Sequence, residues 1–145
     1  MNYGRIATLT GLVIIFLLQG MTTVFADHTE HKLVIQISTD DLRVQQTALS
    51  NIVNLQKHYG MDNIEIELVA FGPGLRMLTP QSTLAPRIAS LAMQEVTFTA
   101  CKNTMLTIKE KTGFMPKLIE GVTITQAGVA RIIELQEHDY SYVKY

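Results

Sequence analysis

The sequence predicts a single α/β domain built on a parallel β-sheet, and three observations support this fold class. Short apolar segments rich in β-branched residues alternate along the chain with longer segments whose apolar residues recur at helical spacing. Strands that alternate with helices form parallel sheets, because each connection must cross over the sheet. The length of 145 residues suits one domain, and the hydrophobic content of 47% excludes a disordered chain.

The first 26 residues have the layout of a secretory signal peptide. They hold one charge, Arg5, followed by the apolar run Leu12–Leu18 and by Ala26 before Asp27. We expect cleavage after Ala26 and a protein that is periplasmic or secreted, with no stable membrane span after cleavage. A retained membrane anchor is the alternative, although threonine, glycine and glutamine residues dilute the apolar run.

The mature chain is expected to begin with a short polar tether, residues 27–31, and residues 32–145 form the single domain. Each predicted strand except the last is followed by a turn or cap signal and then by a helical pattern. The first half contains a strand at Lys32–Ser38, a helix from Leu42 to Tyr59 that Gly60 stops, a strand at Ile64–Phe71, the tight loop Gly72–Gly74 and a helical turn at Leu75–Leu78.

The second half repeats this alternation. It contains a short helix at Pro86–Met93, a strand at Val96–Ala100 that runs into Cys101, a helix through Met105 to Gly113, a weaker strand at Leu118–Ile124, a helix from Thr125 or Gln126, and a final strand at Tyr140–Tyr145. Five such units predict a flavodoxin-like, three-layer α/β/α domain. Its five-stranded sheet should be mostly parallel, with helices on both faces.

Ligands of open α/β sheets bind at the carboxyl ends of the strands, and Cys101 is the most informative residue predicted there. At a strand-to-helix junction its sulfur faces the free amides of the next helix, which lower the pKa of a thiol. Lys102 adds a nearby positive charge. The alternative is an inert cysteine that packs as a small hydrophobic residue. The single cysteine also excludes a scaffold held by internal disulfides.

Further binding candidates follow the same strand ends. Asn103 and Thr104 either cap the helix that begins near Lys102 or donate hydrogen bonds to a bound sulfur species or anion. The residues assigned to ligand binding are Asp40, Gly72, Pro73, Gly74, Lys102, Asn103 and Thr104.

Other chemistries receive little support. His58 and His138 lie at helix ends away from Cys101, so no cysteine–histidine pair is expected, and we predict no metal site and no cofactor. Glu65 and Glu67 are expected to face solvent or a helix rather than to form a catalytic pair. The net charge of −1 argues against a nucleic-acid partner.

The chain resembles the DsrE/DsrF-like family, in particular its small exported members. The resemblance is carried by three segments, Val69–Leu75, Val96–Met105 and Gln126–Gln136, the last leading to Tyr140–Lys144. It implies a flavodoxin-like fold that assembles into homotrimers or hexamers. It also implies that the cysteine after the third strand carries sulfur as a persulfide, and Cys101 matches that position.

The leading hypothesis is an exported sulfur carrier or sulfurtransferase that acts through Cys101, with a sulfur donor or acceptor protein or a small thiol as partner. The alternative is a non-catalytic, oligomeric module for small-ligand binding or assembly, in which Cys101 is structural. A third possibility is a redox sensor that is reversibly oxidised at Cys101.

Overall fold

A computed structural model describes residues 31–145, so the predicted signal peptide and nearly all of the tether lie outside the described residues. Five strands form one sheet in the order β4-β3-β2-β1-β5, and every pairing is parallel. The strands are β1 His31–Ile37, β2 Ile64–Ala70, β3 Thr97–Cys101, β4 Thr123–Thr125 and β5 Ser141–Lys144. The predicted α/β class is confirmed.

Helices fill the connections between the strands. They are α1 Leu42–Tyr59, α2 Ala85–Ala92, α3 Lys102–Thr112 and α4 Gly128–Glu137, with 3-10 helices at Met61–Asn63 and Gly72–Leu78. The predicted bounds of α1 are confirmed. The Asp41 side chain caps this helix by accepting a hydrogen bond from the Arg43 N–H, and Gly60 ends it with a φ of 91°. In residues 31–145, none of the helices is both long and apolar enough to cross a membrane.

The strand order places the helices unequally on the two faces of the sheet. The chain moves in one direction from β1 to β4, so right-handed crossovers put α1, α2 and α3 on the same face, which we call the first face. The connection from β4 to β5 returns past β1, and α4 therefore lies on the opposite face, which we call the second face. The three-layer prediction is confirmed, and within residues 31–145 the layer that covers the second face is α4.

Each face has its own core. The larger core, on the first face, includes Leu33, Ile35, Ile37, Ala48, Leu49, Ile52, Ile66, Leu68, Leu75, Ile88, Phe98 and Met105. The smaller core, under α4, consists of Val34, Val69, Ile132, Leu135 and Tyr140, with Phe71 packed against it.

The predicted fourth strand at Leu118–Ile124 is wrong over most of its length, because only Thr123–Thr125 pairs with β3. Leu118, Ile119 and Val122 instead pack against the larger core as irregular chain, and the Ile119 N–H donates to the Leu78 carbonyl at 2.9 Å. Their apolar character reflects core packing outside a β-ladder. The following helix begins at Gly128 rather than at Thr125 or Gln126, since Thr125 is still paired with Cys101.

Candidate functional site

Cys101 is the last residue of β3 and the N-cap residue of α3. Its backbone is extended, with φ −80° and ψ 117°, and no side chain caps the helix, so the amides of the first turn have no side-chain acceptor and lie next to the cysteine. The residue is buried, with 5% of its surface exposed. This is the position that the sequence predicts for the reactive group.

The surroundings of the thiol favour its ionised form. Burial raises the pKa of Cys101, but hydrogen bonds outweigh this effect and lower the pKa below the ordinary value for cysteine. They come from the backbone N–H groups of Thr104, Gly128 and Asn103 and from the Thr104 hydroxyl. All of these donors are uncharged. Lys102, which we expected to assist, is exposed and is not among the causes of the shift.

The Thr104 hydroxyl is oriented by the loop that follows β2. Its oxygen accepts a hydrogen bond from the Gly72 N–H at 3.0 Å, so its own hydrogen remains available for the sulfur. Gly72 therefore belongs to the site through Thr104. Its φ of 54° lies in the left-handed region, which glycine adopts without strain.

Gly128 contributes a second helix N-terminus to the sulfur, and sequence reasoning missed it. A methyl group at this position would lie 3.0 Å from Phe71 Cδ1 and 3.4 Å from Cys101 Cβ, so glycine permits a tight approach of α4 to these two residues. A signal was available in the sequence, since a glycine stands at the start of an amphipathic helix. The residues that Gly128 contacts, however, are set by the tertiary fold and cannot be seen in the sequence.

A polar network lies beside the cysteine on the second face. Glu67 accepts hydrogen bonds from Arg131 Nε at 3.0 Å, from Arg131 Nη2 at 2.8 Å and from Thr99 Oγ1 at 2.7 Å. The Thr99 hydroxyl also lies 2.8 Å from the Thr123 hydroxyl. Glu67 thus faces a helix, which is one of the two environments expected from the sequence, the other being solvent. It is a buried ion-pair partner, whereas Glu65 is exposed.

Asn103, Lys102 and Pro73 take peripheral positions. The Asn103 N–H donates to the Gln126 carbonyl at 3.2 Å, and its side-chain oxygen accepts a hydrogen bond from the Gln126 amide at 2.8 Å. This exchange links the starts of α3 and α4, so Asn103 acts mainly as a structural connector. Lys102 and Pro73 are exposed.

Asp40 lies in a different groove. Its carboxylate is 3.6 Å from the Arg76 guanidinium, and both side chains are largely exposed. The groove has a volume of about 280 Å³, and Cys101 is not among its lining residues, which are Asp40, Leu42, Gln45, Arg76, Met77, Thr79, Gln81, Ser82 and Thr83. The predicted binding residues therefore divide between two places.

Gly74 fixes the 3-10 helix that separates these two places. A Cβ atom at this residue would lie 2.4 Å from the Ile37 carbonyl oxygen, so the segment packs directly on the end of β1.

Within residues 31–145 no group of three or more His, Cys, Asp and Glu side chains could hold a metal ion.

Comparisons with known proteins place the fold without assigning a function. No protein-family model matches the chain, and none of the curated protein sequences matches it. Among solved structures, it is similar to a protein of unknown function, MTH1491 from Methanobacterium thermoautotrophicum, with a TM-score of 0.72 and 28% identity, over 79% of this chain and 99% of that one.

Two further structures share the fold at lower identity. The YchN protein from E. coli has a TM-score of 0.63 and 12% identity, over 79% of this chain and 98% of that chain. A conserved protein of unknown function, BT1422 from Bacteroides thetaiotaomicron, has a TM-score of 0.59 and 17% identity, over 83% of this chain and 99% of that chain. This chain therefore shares its overall fold with these three proteins.

Proposed function

We propose that this protein is an exported sulfur carrier of the DsrE/DsrF-like type, which holds sulfur as a persulfide on Cys101. The observation that carries the proposal is the environment of the thiol, where N–H groups from two helices and one hydroxyl lower its pKa. A thiolate is the nucleophilic form of cysteine, and a persulfide is itself an anion that the same donors would stabilise.

Sulfur transfer at this site needs no cofactor and no net oxidant. The Cys101 thiolate attacks the outer sulfur of a donor persulfide, R–S–SH. A Cys101 Sγ–S bond forms as the donor S–S bond breaks, and the donor leaves as the thiolate R–S⁻. An acceptor thiolate then attacks the outer sulfur of Cys101–S–SH and restores the Cys101 thiolate. No second cysteine exists in the chain, so both transfers are intermolecular.

The burial of Cys101 restricts the donors that can reach it. With 5% of the residue exposed, a polysulfide or a low-molecular-weight persulfide can reach the thiol more readily than a protein thiol on a rigid surface.

Intact mass spectrometry tests the proposal directly. The mature protein is incubated with inorganic polysulfide and compared with Cys101→Ser under the same conditions. We expect wild type to gain about 32 Da per sulfur added, the gain to disappear on treatment with a small thiol, and Cys101→Ser to gain nothing. A wild-type protein that gains no more mass on incubation than Cys101→Ser does would overturn the proposal.

The alternative is a non-catalytic module that binds a small ligand or assembles with other copies. The groove between Asp40 and Arg76, which lies outside the surroundings of Cys101, favours it. The rate of alkylation of Cys101 as a function of pH separates the two functions. A thiol that reacts slowly, and whose rate follows an ordinary thiol pKa, would support the module.

Export and assembly belong to the same proposal. The segment before Asp27 supports export, and the mass of protein recovered outside the cytoplasm should correspond to a chain that begins at Asp27. Exposed apolar residues on α4 support self-association, with Val129 at 56% and Ile133 at 52% exposure.

A further inference from the structure

The second face of the sheet holds a charged pair that the sulfur chemistry does not use directly. The Glu67 side chain is 5% exposed, and Arg131 contacts it through two parallel hydrogen bonds. Such a pair is seldom retained for stability alone, because a well-packed apolar pair of similar volume is often as stable. Its distinctive property is geometric, since a bidentate contact fixes both position and orientation.

The carboxylate itself is held firmly on the sheet. Glu67 belongs to β2, and its third hydrogen bond comes from Thr99 on β3. Thr99 stands two residues before Cys101, so both side chains lie on the second face. The anchor for Arg131 is therefore built from the same strand that carries the thiol.

Arg131 is well placed to control the start of α4. It lies three residues after Gly128, which puts the two residues on neighbouring turns of the same side of the helix. The backbone of Gly128 packs against Cys101, because a Cβ atom built on Gly128 would lie 3.4 Å from Cys101 Cβ, and the Gly128 N–H contributes to the lowered pKa of the thiol. Among residues 31–145, α4 is also the only helix on the second face, so no neighbouring helix keeps it in register.

We propose that the Glu67–Arg131 pair is a positioning device that holds the N-terminus of α4 against the sulfur of Cys101. Neither residue touches the reacting atoms. The inference rests on the proposed function for its biological meaning, but the effect on the thiol can be measured without sulfur transfer.

Two substitutions distinguish positioning from direct electrostatics. Arg131→Met removes a positive charge and Glu67→Gln removes a negative charge, and both weaken the bidentate contact. Direct charge effects on the thiol would then have opposite signs, because loss of a cation raises a thiol pKa and loss of an anion lowers it. Loosening of α4 raises the thiol pKa in both variants, because the hydrogen bond from Gly128 is weakened.

The measurement is the pH dependence of the alkylation rate of Cys101 by a small neutral reagent. We expect the thiol pKa to rise by about one pH unit in both Arg131→Met and Glu67→Gln. Arg131→Lys, which keeps one charged hydrogen bond, should give a smaller rise. Glu134→Gln is the matched control, because it removes only the exposed contact at 3.6 Å to Arg131 and should leave the thiol pKa unchanged.

Circular dichroism and thermal unfolding identify variants that do not fold, and Arg131→Lys provides a milder substitution in that case. An unchanged thiol pKa in folded Arg131→Met and Glu67→Gln, or shifts of opposite sign, would overturn the inference. A wild-type protein that forms no persulfide would instead contradict the proposed function, so the two failures can be told apart.

Discussion

Hydrogen bonds, rather than a neighbouring charge, lower the pKa of the Cys101 thiol. The donors to the sulfur are backbone amides and a hydroxyl, all of them uncharged. A single donor of this kind would not offset the free-energy cost of removing a thiolate from water. Together the donors lower the thiol pKa, because several of them, from α3 and α4, converge on the sulfur atom. A thiol activated in this way needs no histidine, which agrees with the positions of His58 and His138 at the far ends of α1 and α4.

Thr104 offers a direct test of this geometry. Thr104→Val keeps the shape of the side chain but removes the hydroxyl that contacts the sulfur and accepts from Gly72. We expect the thiol pKa to rise and the free energy of unfolding to fall by about 1 kcal/mol, because the partly buried Gly72 N–H loses its partner. Alkylation against pH and chemical denaturation measure the two effects.

Thr104→Ser is the control for this prediction, since it retains the hydroxyl. Its thiol pKa should stay close to that of wild type. If the valine and serine variants showed the same thiol pKa, the hydroxyl would have no role in stabilising the thiolate.

The environment of the Tyr140 phenol lets us predict how the free energy of unfolding changes at alkaline pH. Burial raises the pKa of its phenol, and the hydrogen bond to the Glu65 carboxylate raises it further. Since the folded-state pKa lies above the unfolded value of about 10, the stabilisation is complete below pH 10 and is lost as the pH rises toward the folded-state pKa. We expect Tyr140→Phe to be less stable than wild type at pH 8, by about 1 kcal/mol, and this difference to shrink at pH 11.

Urea denaturation at the two pH values measures this difference, and subtracting one protein from the other removes the contributions of other titrating groups. Tyr59→Phe, at an exposed position, serves as the control. A difference between wild type and Tyr140→Phe that stayed constant from pH 8 to pH 11 would contradict the prediction.

At the scale of elements, the 3-10 helix Gly72–Leu78 depends on a close backbone contact. Gly74 has no room for a Cβ atom, which would lie 2.4 Å from the Ile37 carbonyl oxygen. We expect Gly74→Ala to lower the free energy of unfolding by about 3 kcal/mol, because backbone atoms on both sides must move. The same movement should displace Gly72 from Thr104 and raise the thiol pKa.

Gly113 provides the matched comparison for Gly74. It ends α3 with a φ of 80°, and nothing lies within 4 Å of a Cβ built there. Gly113→Ala should therefore cost only the conformational penalty, about 1 kcal/mol, and leave the thiol pKa unchanged. If the two variants lost the same free energy of unfolding, the close contact of Gly74 with Ile37 would make no additional contribution to stability.

The same elements show what sequence patterns can predict. The helix Leu42–Tyr59 has a cap, a periodic apolar face and a terminal glycine, so local signals define it completely. The segment around Leu118 has only apolar character, which a buried irregular segment shares with a strand. Sequence reasoning placed Cys101 at a helix start because that contact is local. It missed Gly128 and the burial of Glu67, because their partners lie more than 25 residues away along the chain.

At the scale of the whole molecule, the two faces of the sheet differ in their cover. The first face carries α1, α2, α3 and the larger core, whereas the second face carries α4 over a smaller core and a polar network. Cys101, Gly128 and the Glu67–Arg131 pair all belong to the second face. The proposed chemistry is therefore concentrated on the face with the thinner layer.

The exposed side of α4 predicts self-association across this face. Val129 and Ile133 are four residues apart on one side of the helix and are 56% and 52% exposed, and Val129 directly follows Gly128, which packs against Cys101. A second copy of the chain that covered them would also narrow the approach to the thiol. We expect size-exclusion chromatography with light scattering to show an oligomer, and Val129→Asp with Ile133→Asp to shift it to the monomer mass.

Met93→Asp is the control for this substitution, because Met93 is 81% exposed on a different face of the molecule, at the end of α2. It should leave the oligomer intact. If oligomer formation protects the thiol, Cys101 should be alkylated faster in the α4 double variant than in wild type, and at the wild-type rate in Met93→Asp. A monomeric wild-type protein at micromolar concentration, or an α4 double variant that kept the wild-type mass, would exclude this surface as the contact between copies.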